Sequence, residues 1–497
     1  MKVRVASDAP AFHKELFDIA DLFLQGVERL ADSARGEDLL ITLREQHTGS
    51  DHSARAELSG LFSAAGSQAC EAGGDALGVK RLRKRCLKLA LFDAFCQATG
   101  AHPPWGALTG IRPTRLLLDA VAQGRTLPEA AQWMQDTFLL SKDKARLLLD
   151  IASLQQGLPP PASCEIGVYI GIPFCKSRCR YCSFISREAG DGSLLAPYTR
   201  ALIGEIRGTI ALMRARGLRA RTVYIGGGTP TVLPEGLLAD VLDAARPLIM
   251  EAVETTVEAG RPDTITPGKL SIIREGGAKR ISVNPQTLHD HTLLSVGRSH
   301  TARQAVEAFH LAREAGFQHI NMDLIAGLPG EAPELFAQSL CGVLSLAPEA
   351  ITVHTLSLKR SSDMHRFTDP LPDARAVGEM VAFAREKTAA SGYVPYYLYR
   401  QKHMAGNLEN VGYARPGFAC LYNLDMMEDR ATVLAAGAGS VSKWVSPDGR
   451  RILRAPNVKD IDQYIARAGE MLERKNALLE GVGKGVRPPE TDAPGED

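Results

Sequence analysis

Between Gly167 and Leu356, short apolar runs alternate with helical stretches, and this pattern constrains the fold more than any other feature of the chain. The apolar runs are Gly167–Gly171, Thr222–Ile225, Thr255–Glu258, Arg280–Val283, His319–Ile325 and Ile351–Leu356. Helical spacing falls between them, over Ala196–Arg216, Pro234–Leu248, Pro267–Gly276, Asp290–Val296, Thr301–Ala315 and Ala332–Leu346. Strands that alternate with helices pair in parallel through right-handed crossovers. Six such units predict an α/β architecture, an open (β/α)6 partial TIM barrel; a doubly wound sheet is the alternative. In either fold the chemistry belongs at the C-terminal ends of the strands.

The flanking regions are expected to be separate pieces. Residues 1–156 read as an N-terminal α+β domain, with a strand at Lys2–Ala6, helices over Phe12–Ala31 and Leu82–Ala98, and a Gly- and Pro-rich loop at Pro104–Thr114. Residues 157–164 contain three consecutive prolines, which cannot continue a helix and give a stiff linker. The core is then expected over 165–360 and a C-terminal extension over 361–485, with strands at Val394–Tyr399 and Thr432–Ala436 and a helix near Ile461–Leu479. The Pro-rich, acidic tail 486–497 is expected to be disordered.

Composition excludes little but points nowhere unusual. The 497 residues carry a net charge of +1, so nothing global suggests a nucleic acid or an anionic membrane as partner. The basic run Lys80–Arg85 reads as a solvated helix face. No apolar core follows the basic N-terminus and no run of about 18 apolar residues occurs, so neither a signal peptide nor a membrane span is expected and the location is expected to be cytoplasmic.

Three of the nine cysteines cluster, at Cys175, Cys179 and Cys182, directly after the first expected strand. In a large chain without a disulfide framework such a cluster reads as metal binding or catalysis. Three thiolates on one loop can wrap a [4Fe–4S] cube and leave its fourth iron open to a small molecule. Zinc wants four ligands, and no Cys or His follows at finger-like spacing. A redox pair at Cys179 and Cys182 would leave Cys175 unexplained.

The spacing Cys-x3-Cys-x2-Cys, with the wording YIGIPFC and CRYCSF around it, resembles the radical SAM superfamily and, within it, the oxygen-independent coproporphyrinogen III oxidase (coproporphyrinogen dehydrogenase) family. The resemblance implies a [4Fe–4S] cluster held by Cys175, Cys179 and Cys182, with S-adenosylmethionine (SAM) at its open iron. It also assigns the companion motifs. Gly227, Gly228 and Thr229 lie in the loop IGGGTPT after the second strand, which in the family meets the methionine amino group. Glu258 ends the third strand and faces SAM. Gln286 and Arg298 follow the fourth, and an arginine fork suits the methionine carboxylate. Asp323, in the fifth, matches a residue that accepts from a SAM ribose, and Tyr169 matches a SAM-contacting tyrosine. His289, His291 and His300 read as surface residues, and Cys420 as a buried structural cysteine.

The implied activity is SAM-dependent decarboxylation of two propionates of coproporphyrinogen III to vinyls, giving protoporphyrinogen IX, with electrons from an unidentified donor. The chain departs from the best-studied oxidases at two places: Phe184 stands where they have a fourth cysteine, and Gly171 where they have a histidine. Phe184 is the pattern of relatives that act as haem chaperones, so a haem-binding protein is an alternative, as is a tetrapyrrole methyltransferase. The long N-terminal region and the phrases WGALTGIRPT and YYLYRQKHMAGNLENVGYA suggest a distinct branch.

Overall fold

The computed structural model describes residues 1–24, 27–31, 36–48, 51–71, 76–110, 112–182, 184, 186–357, 369–401, 404–449 and 451–484. The tail expected at 486–497 and the expected end of the core at residue 360 lie outside the described residues. The chain divides into two compact units, Met1–Ala152 with Gly406–Leu408, and Ser153–Ala405 with Glu409–Asp497.

The first unit is built on a five-stranded sheet in the order β2-β1-β3-β4-β5. Its strands are β1 (Lys2–Ser7), β2 (Glu28–Arg29), β3 (Leu39–Thr48), β4 (Asp51–Gly60) and β5 (Ala64–Glu71). Helices α1 (His13–Ala20) and α2 (Ala76–Thr99) share its core, where Val3, Val5, Leu39, Ile41 and Leu43 meet Leu16, Ile19, Ala90 and Phe95. Close approach of α2 to β5 requires Gly66, since a Cβ there would stand 2.3 Å from the Ala90 carbonyl. The helix expected over Phe12–Ala31 is shorter, because α1 ends at Ala20 and Glu28–Arg29 joins the sheet. The basic run Lys80–Arg85 is not merely solvated: the Arg83 guanidinium pairs with Glu45 through two hydrogen bonds of 3.1 and 2.6 Å, and Lys84 reaches Glu15. Helices α3 (Pro113–Ala122), α4 (Leu127–Phe138) and α5 (Lys142–Gln156) follow.

The second unit is an open (β/α)6 partial barrel. Strands β6 (Glu165–Ile172), β9 (Arg219–Gly227), β10 (Glu254–Gly260), β11 (Arg280–Val283), β12 (His319–Ala326) and β13 (Ala350–Thr355) lie side by side, parallel, in chain order. A short ribbon, β7 (Phe174–Cys175) with β8 (Arg187–Glu188), rises after β6. The crossover helices are α6 (Leu195–Ala215), α7 (Glu235–Glu251), α8 (Pro267–Glu275), α9 (Asp290–Ser295), α10 (Ala302–Glu314) and α11 (Pro333–Leu346). Strand alternation sorts the side chains. On β12, Ile320, Met322 and Leu324 are fully buried under the helices, whereas Asn321 and Asp323 line the partly open interior.

Residues after 369 extend this same sheet at both edges. After α12 (Ala374–Ala390) come strands β14 (Val394–Tyr399) and β15 (Asn410–Ala414); β15 pairs antiparallel with β13, and β14 pairs antiparallel with β15 at the edge. Following α13 (Leu421–Met427), β16 (Val433–Ala436) pairs parallel with β6 on the other edge and carries β17 (Val441–Val445) and β18 (Ile452–Pro456). Helix α14 (Ile461–Lys484) closes on α6 through a fully buried pair, Lys475 with Glu205. The proline run after α5 packs on this unit, with the Pro159 carbonyl accepting from Arg221 at 2.9 Å. Among the described residues no helix is long and apolar enough to cross a membrane.

Candidate active site at the C-terminal rim of the barrel

The cysteine loop is fastened from several sides. Cys175 sits on β7; the Cys182 backbone N–H donates to Cys179 O at 3.0 Å, closing a tight turn. Arg261, just past β10, is buried, and its Nη1 donates to Ser177 O (2.9 Å) and Ser177 Oγ (2.7 Å) while Nε and Nη2 pair with Asp263. Lys176 reaches the same Asp263 at 3.3 Å. Arg180 N donates to Val296 O at 3.0 Å and Arg180 Nη1 to Ser295 O at 2.8 Å, tying the loop to the end of α9. Arg261 and Asp263 are not among the site residues expected from the sequence; the signal for them is their place directly after a strand end.

The glycine loop after β9 lies against this cysteine loop. Gly228 N donates to Ile172 O (2.8 Å) and Thr229 N to Phe174 O (2.7 Å), while Thr229 Oγ1 is 3.7 Å from Cys175 Sγ. A Cβ on Gly228 would stand 2.4 Å from Phe174 O, and Gly227 has φ +114°, so both positions require glycine.

Glu258 stands two residues before the end of β10, beneath this loop, accepting from Gly227 N at 3.2 Å and from the Tyr224 hydroxyl. Burial pushes its carboxyl up to about 7, and the neighbouring Asp323 adds to the rise against those two hydrogen bonds. Tyr169 and Tyr224 stack below, at 6.3 Å, with Tyr422 against both. Asp323 accepts from Asn321 at 2.7 Å and lies 3.6 Å from His354 Nε2. Burial alone would raise Asp323, but His354, Asn321 and Thr352 together hold it below the usual carboxylate range.

Gln286 adopts a left-handed φ of 70° and bridges to Leu324, with its N–H on Asp323 O at 2.9 Å. Its buried side-chain oxygen has no hydrogen-bond partner. Strain in a non-glycine residue and an orphaned buried acceptor both cluster at functional sites. Arg298 is buried beside Cys179, with Nε donating to Tyr181 OH (3.1 Å) and Nη1 to Asn284 O (2.7 Å). All eleven residues assigned from the sequence therefore belong to one rim and the strand ends beneath it.

Residues 169–340 match the model of the radical SAM superfamily. The chain is 40% identical over 399 residues to the oxygen-independent coproporphyrinogen-III oxidase-like protein HemZ of Bacillus subtilis, covering 77% of this chain and 78% of that protein. It is 29% identical over 305 residues to the heme chaperone HemW of Escherichia coli, covering 61% and 75%. The coproporphyrinogen III oxidase HemN of Escherichia coli shares the fold at a TM-score of 0.50 and 23% identity, covering 65% of this chain and 73% of that one. The chain belongs to the radical SAM superfamily, in the coproporphyrinogen-III oxidase-like family of HemZ.

Radical SAM proteins use a [4Fe–4S] cluster and SAM, and the residues present fit that pair. The three thiols are free, on one loop, and burial pushes Cys175 up and Cys182 to about 11. Burial thus disfavours the free thiolates of Cys175 and Cys182, and coordination to a metal is what deprotonates such thiols. Among the described residues no three His, Cys, Asp or Glu side chains converge as a single metal ion would need. The glycine cradle, the carboxylates of Glu258 and Asp323, and the orphaned Gln286 oxygen offer acceptors to a cationic ligand with hydroxyl groups.

Other expectations are corrected or placed elsewhere. His300 is not a surface residue: it is 2% exposed and neither ring nitrogen has a hydrogen-bond partner. Burial and the adjacent Arg298 hold it near 3, so it is neutral. His289 is half-buried, with Nε2 at 2.8 Å from Leu335 O. Cys420 is buried at the opposite end of the barrel, 3.3 Å from Glu254 at the start of β10.

Proposed function

We propose that the chain is a radical SAM enzyme that oxidatively decarboxylates coproporphyrinogen III to protoporphyrinogen IX without oxygen, acting in the cytoplasm with an external one-electron donor. The observation that carries this reading is the ordered set of groups along one barrel rim, in a chain 40% identical to HemZ over most of its length. A bound cluster with SAM supplies a carbon-centred radical by one-electron reductive cleavage of the sulfonium.

The chain's own residues hold and orient. Cys175, Cys179 and Cys182 ligate three irons, and Arg261 with Ser177 sets the loop that presents them. Gly227, Gly228 and Thr229 expose backbone to the methionine amino group, and Glu258 balances its charge from below. Arg298 neutralises the methionine carboxylate and Gln286 directs its unpartnered oxygen to the ligand. Asp323 accepts from the ribose, and Tyr169 with Tyr224 closes the interior against water.

The test is anaerobic turnover of reconstituted protein with SAM, reductant and coproporphyrinogen III, followed by chromatography of the porphyrins. Protoporphyrin with a tripropionate intermediate is expected. SAM cleavage without any porphyrin product would sink the substrate assignment while leaving the radical site.

A second reading is favoured by one observation. Phe184, two residues beyond Cys182, is 70% exposed, an unusual place for a large apolar ring. With relatives described as heme chaperones, a haem carrier is the runner-up. It requires stable haem binding by the purified protein without porphyrinogen turnover.

A further inference from the structure

The uppermost ring of the barrel interior holds Glu258, Asp323, His354 and Tyr399, from β10, β12, β13 and β14. Strand β14 runs parallel to β13, because each is antiparallel to β15, so Tyr399 ends at the same rim as His354. The imidazole stands between two partners. Its Nε2 is 3.6 Å from Asp323 Oδ2, and its Nδ1 is 3.5 Å from the Tyr399 hydroxyl. Both contacts are longer than settled hydrogen bonds, as ligand-binding networks often are before the ligand tightens them.

The far side of Asp323 is fixed. Its Oδ1 accepts from Asn321 Nδ2 at 2.7 Å; Asn321 is held in turn by Ser282 Oγ (3.0 Å) and Thr352 Oγ1 (3.1 Å). One carboxylate oxygen is thus set by a short polar chain across β11, β12 and β13. Only the other depends on His354. Its neighbour Glu258 carries the same charge sign, and like charges in a buried site disfavour each other. An N–H donor on the Asp323 side is what keeps the two carboxylates distinct. A tyrosine hydroxyl donating to Nδ1 fixes the tautomer with hydrogen on Nε2, facing Asp323.

We propose that His354 is a positioning residue for SAM, with Tyr399 setting its tautomer and its Nε2–H orienting Asp323 toward the ribose. This rests on the reading that Asp323 contacts the ribose. Once SAM draws Asp323 and His354 together, the bond between them is charge-assisted, and losing one such bond costs about tenfold in affinity.

Equilibrium dialysis of SAM against the reconstituted full chain, with the cluster's electron paramagnetic resonance spectrum followed in parallel, tests the inference. His354→Ala and Asp323→Asn are each expected to weaken binding about tenfold, with the double variant no worse than either, because the two act as one unit. His354→Gln places an amide N–H where Nε2 was and is expected to restore binding. His354→Asn reaches toward Tyr399 instead and is expected not to. The spectral change on adding SAM should be blunted in His354→Ala and recovered in His354→Gln. If Asp323→Asn weakens binding and His354→Ala does not, the inference falls and the ribose assignment stands. If Asp323→Asn binds SAM like the parent, the ribose assignment and the inference fall together. Equal loss in His354→Gln and His354→Ala, with normal cluster content, also overturns it.

Discussion

Gly226 and Glu258 are matched to each other: a Cβ on Gly226 would stand 2.5 Å from Glu258 Oε2. The missing side chain leaves the carboxylate room beneath the loop, where it accepts from Gly227 N and Tyr224. One glycine in the GGG run therefore serves an acid that is 32 residues away and on the next strand.

Gly226→Ala tests that relationship. Its φ is ordinary, so the backbone accepts alanine, but the carboxylate and the Tyr224 ring that donates to it, whose Cε1 would stand 2.9 Å from the new Cβ, must both move. The variant is expected to fold and load its cluster normally while binding SAM at least tenfold more weakly, the scale of one lost charge-assisted contact. Unchanged affinity in calorimetry would show that Glu258 does not serve the ligand from this position.

The titration of Glu258 gives a pH prediction with a definite sign. Burial raises its carboxyl from the ordinary range to about 7. It is neutral in the folded protein below that pH, and ionised above it in a site that resists the charge. Its contribution to stability is therefore fullest below the unfolded value and is lost as the pH rises through about 7. Glu258→Gln is expected to unfold at higher denaturant than the parent at pH 8, by on the order of 2 kcal/mol, and at nearly the same point at pH 5. SAM affinity of the parent should run the other way, falling as the pH drops below about 7, and that dependence should vanish in the variant.

Arg261 should matter to cluster loading rather than to ligand affinity. It is 3% exposed and joins Ser177 of the cysteine loop to Asp263. Arg261→Lys keeps the charge but loses the fork, and is expected to lower iron and sulfide content on reconstitution at least twofold. Arg261→Ala would leave the buried Asp263 with only the half-exposed Lys176 as its cation, costing about 1–3 kcal/mol. Full iron content in the lysine variant would count against this account of the loop.

Much of this arrangement is legible in the sequence because backbone chemistry dictates it. All six barrel strands were expected within three residues of where they begin and end, since β/α alternation and terminal glycines punctuate them. The site residues sit at strand ends, where a barrel must place them. The meander β3–β5 was not expected. β3 alternates, with Leu39, Ile41 and Leu43 on the core face, but β4 and β5 present mostly small residues there, Ala54, Ala56 and Gly66, which leave little apolar period to read. Nor does spacing reveal that β16 returns to pair with β6, about 265 residues earlier in the chain, because strand pairing across such a distance carries no local signal. His300 looked like a surface residue for the same reason, since its burial is imposed by elements remote in sequence.

That remote pairing also has consequences for the site. Glu205 on α6 is fully buried and accepts from Lys475 and Tyr464 of α14, from Asn457 at 2.8 Å, and from Gly437 N at 2.8 Å. One carboxylate thus gathers α6, α14 and the turn after β16. On the same helix, Tyr198 donates to Gly171 O at 2.7 Å and packs edge-on to Phe174, the residue before Cys175. Lys475→Met leaves Glu205 charged and without its cation, which is expected to cost about 3–5 kcal/mol in denaturant unfolding. Adding Glu205→Gln should return most of that loss, because the neutral amide no longer needs a cation. Since α6 anchors Phe174, the single variant should also bind less iron than the double one at equal folded fraction. Equal iron in both would mean that the α6 anchor does not reach the cysteine loop.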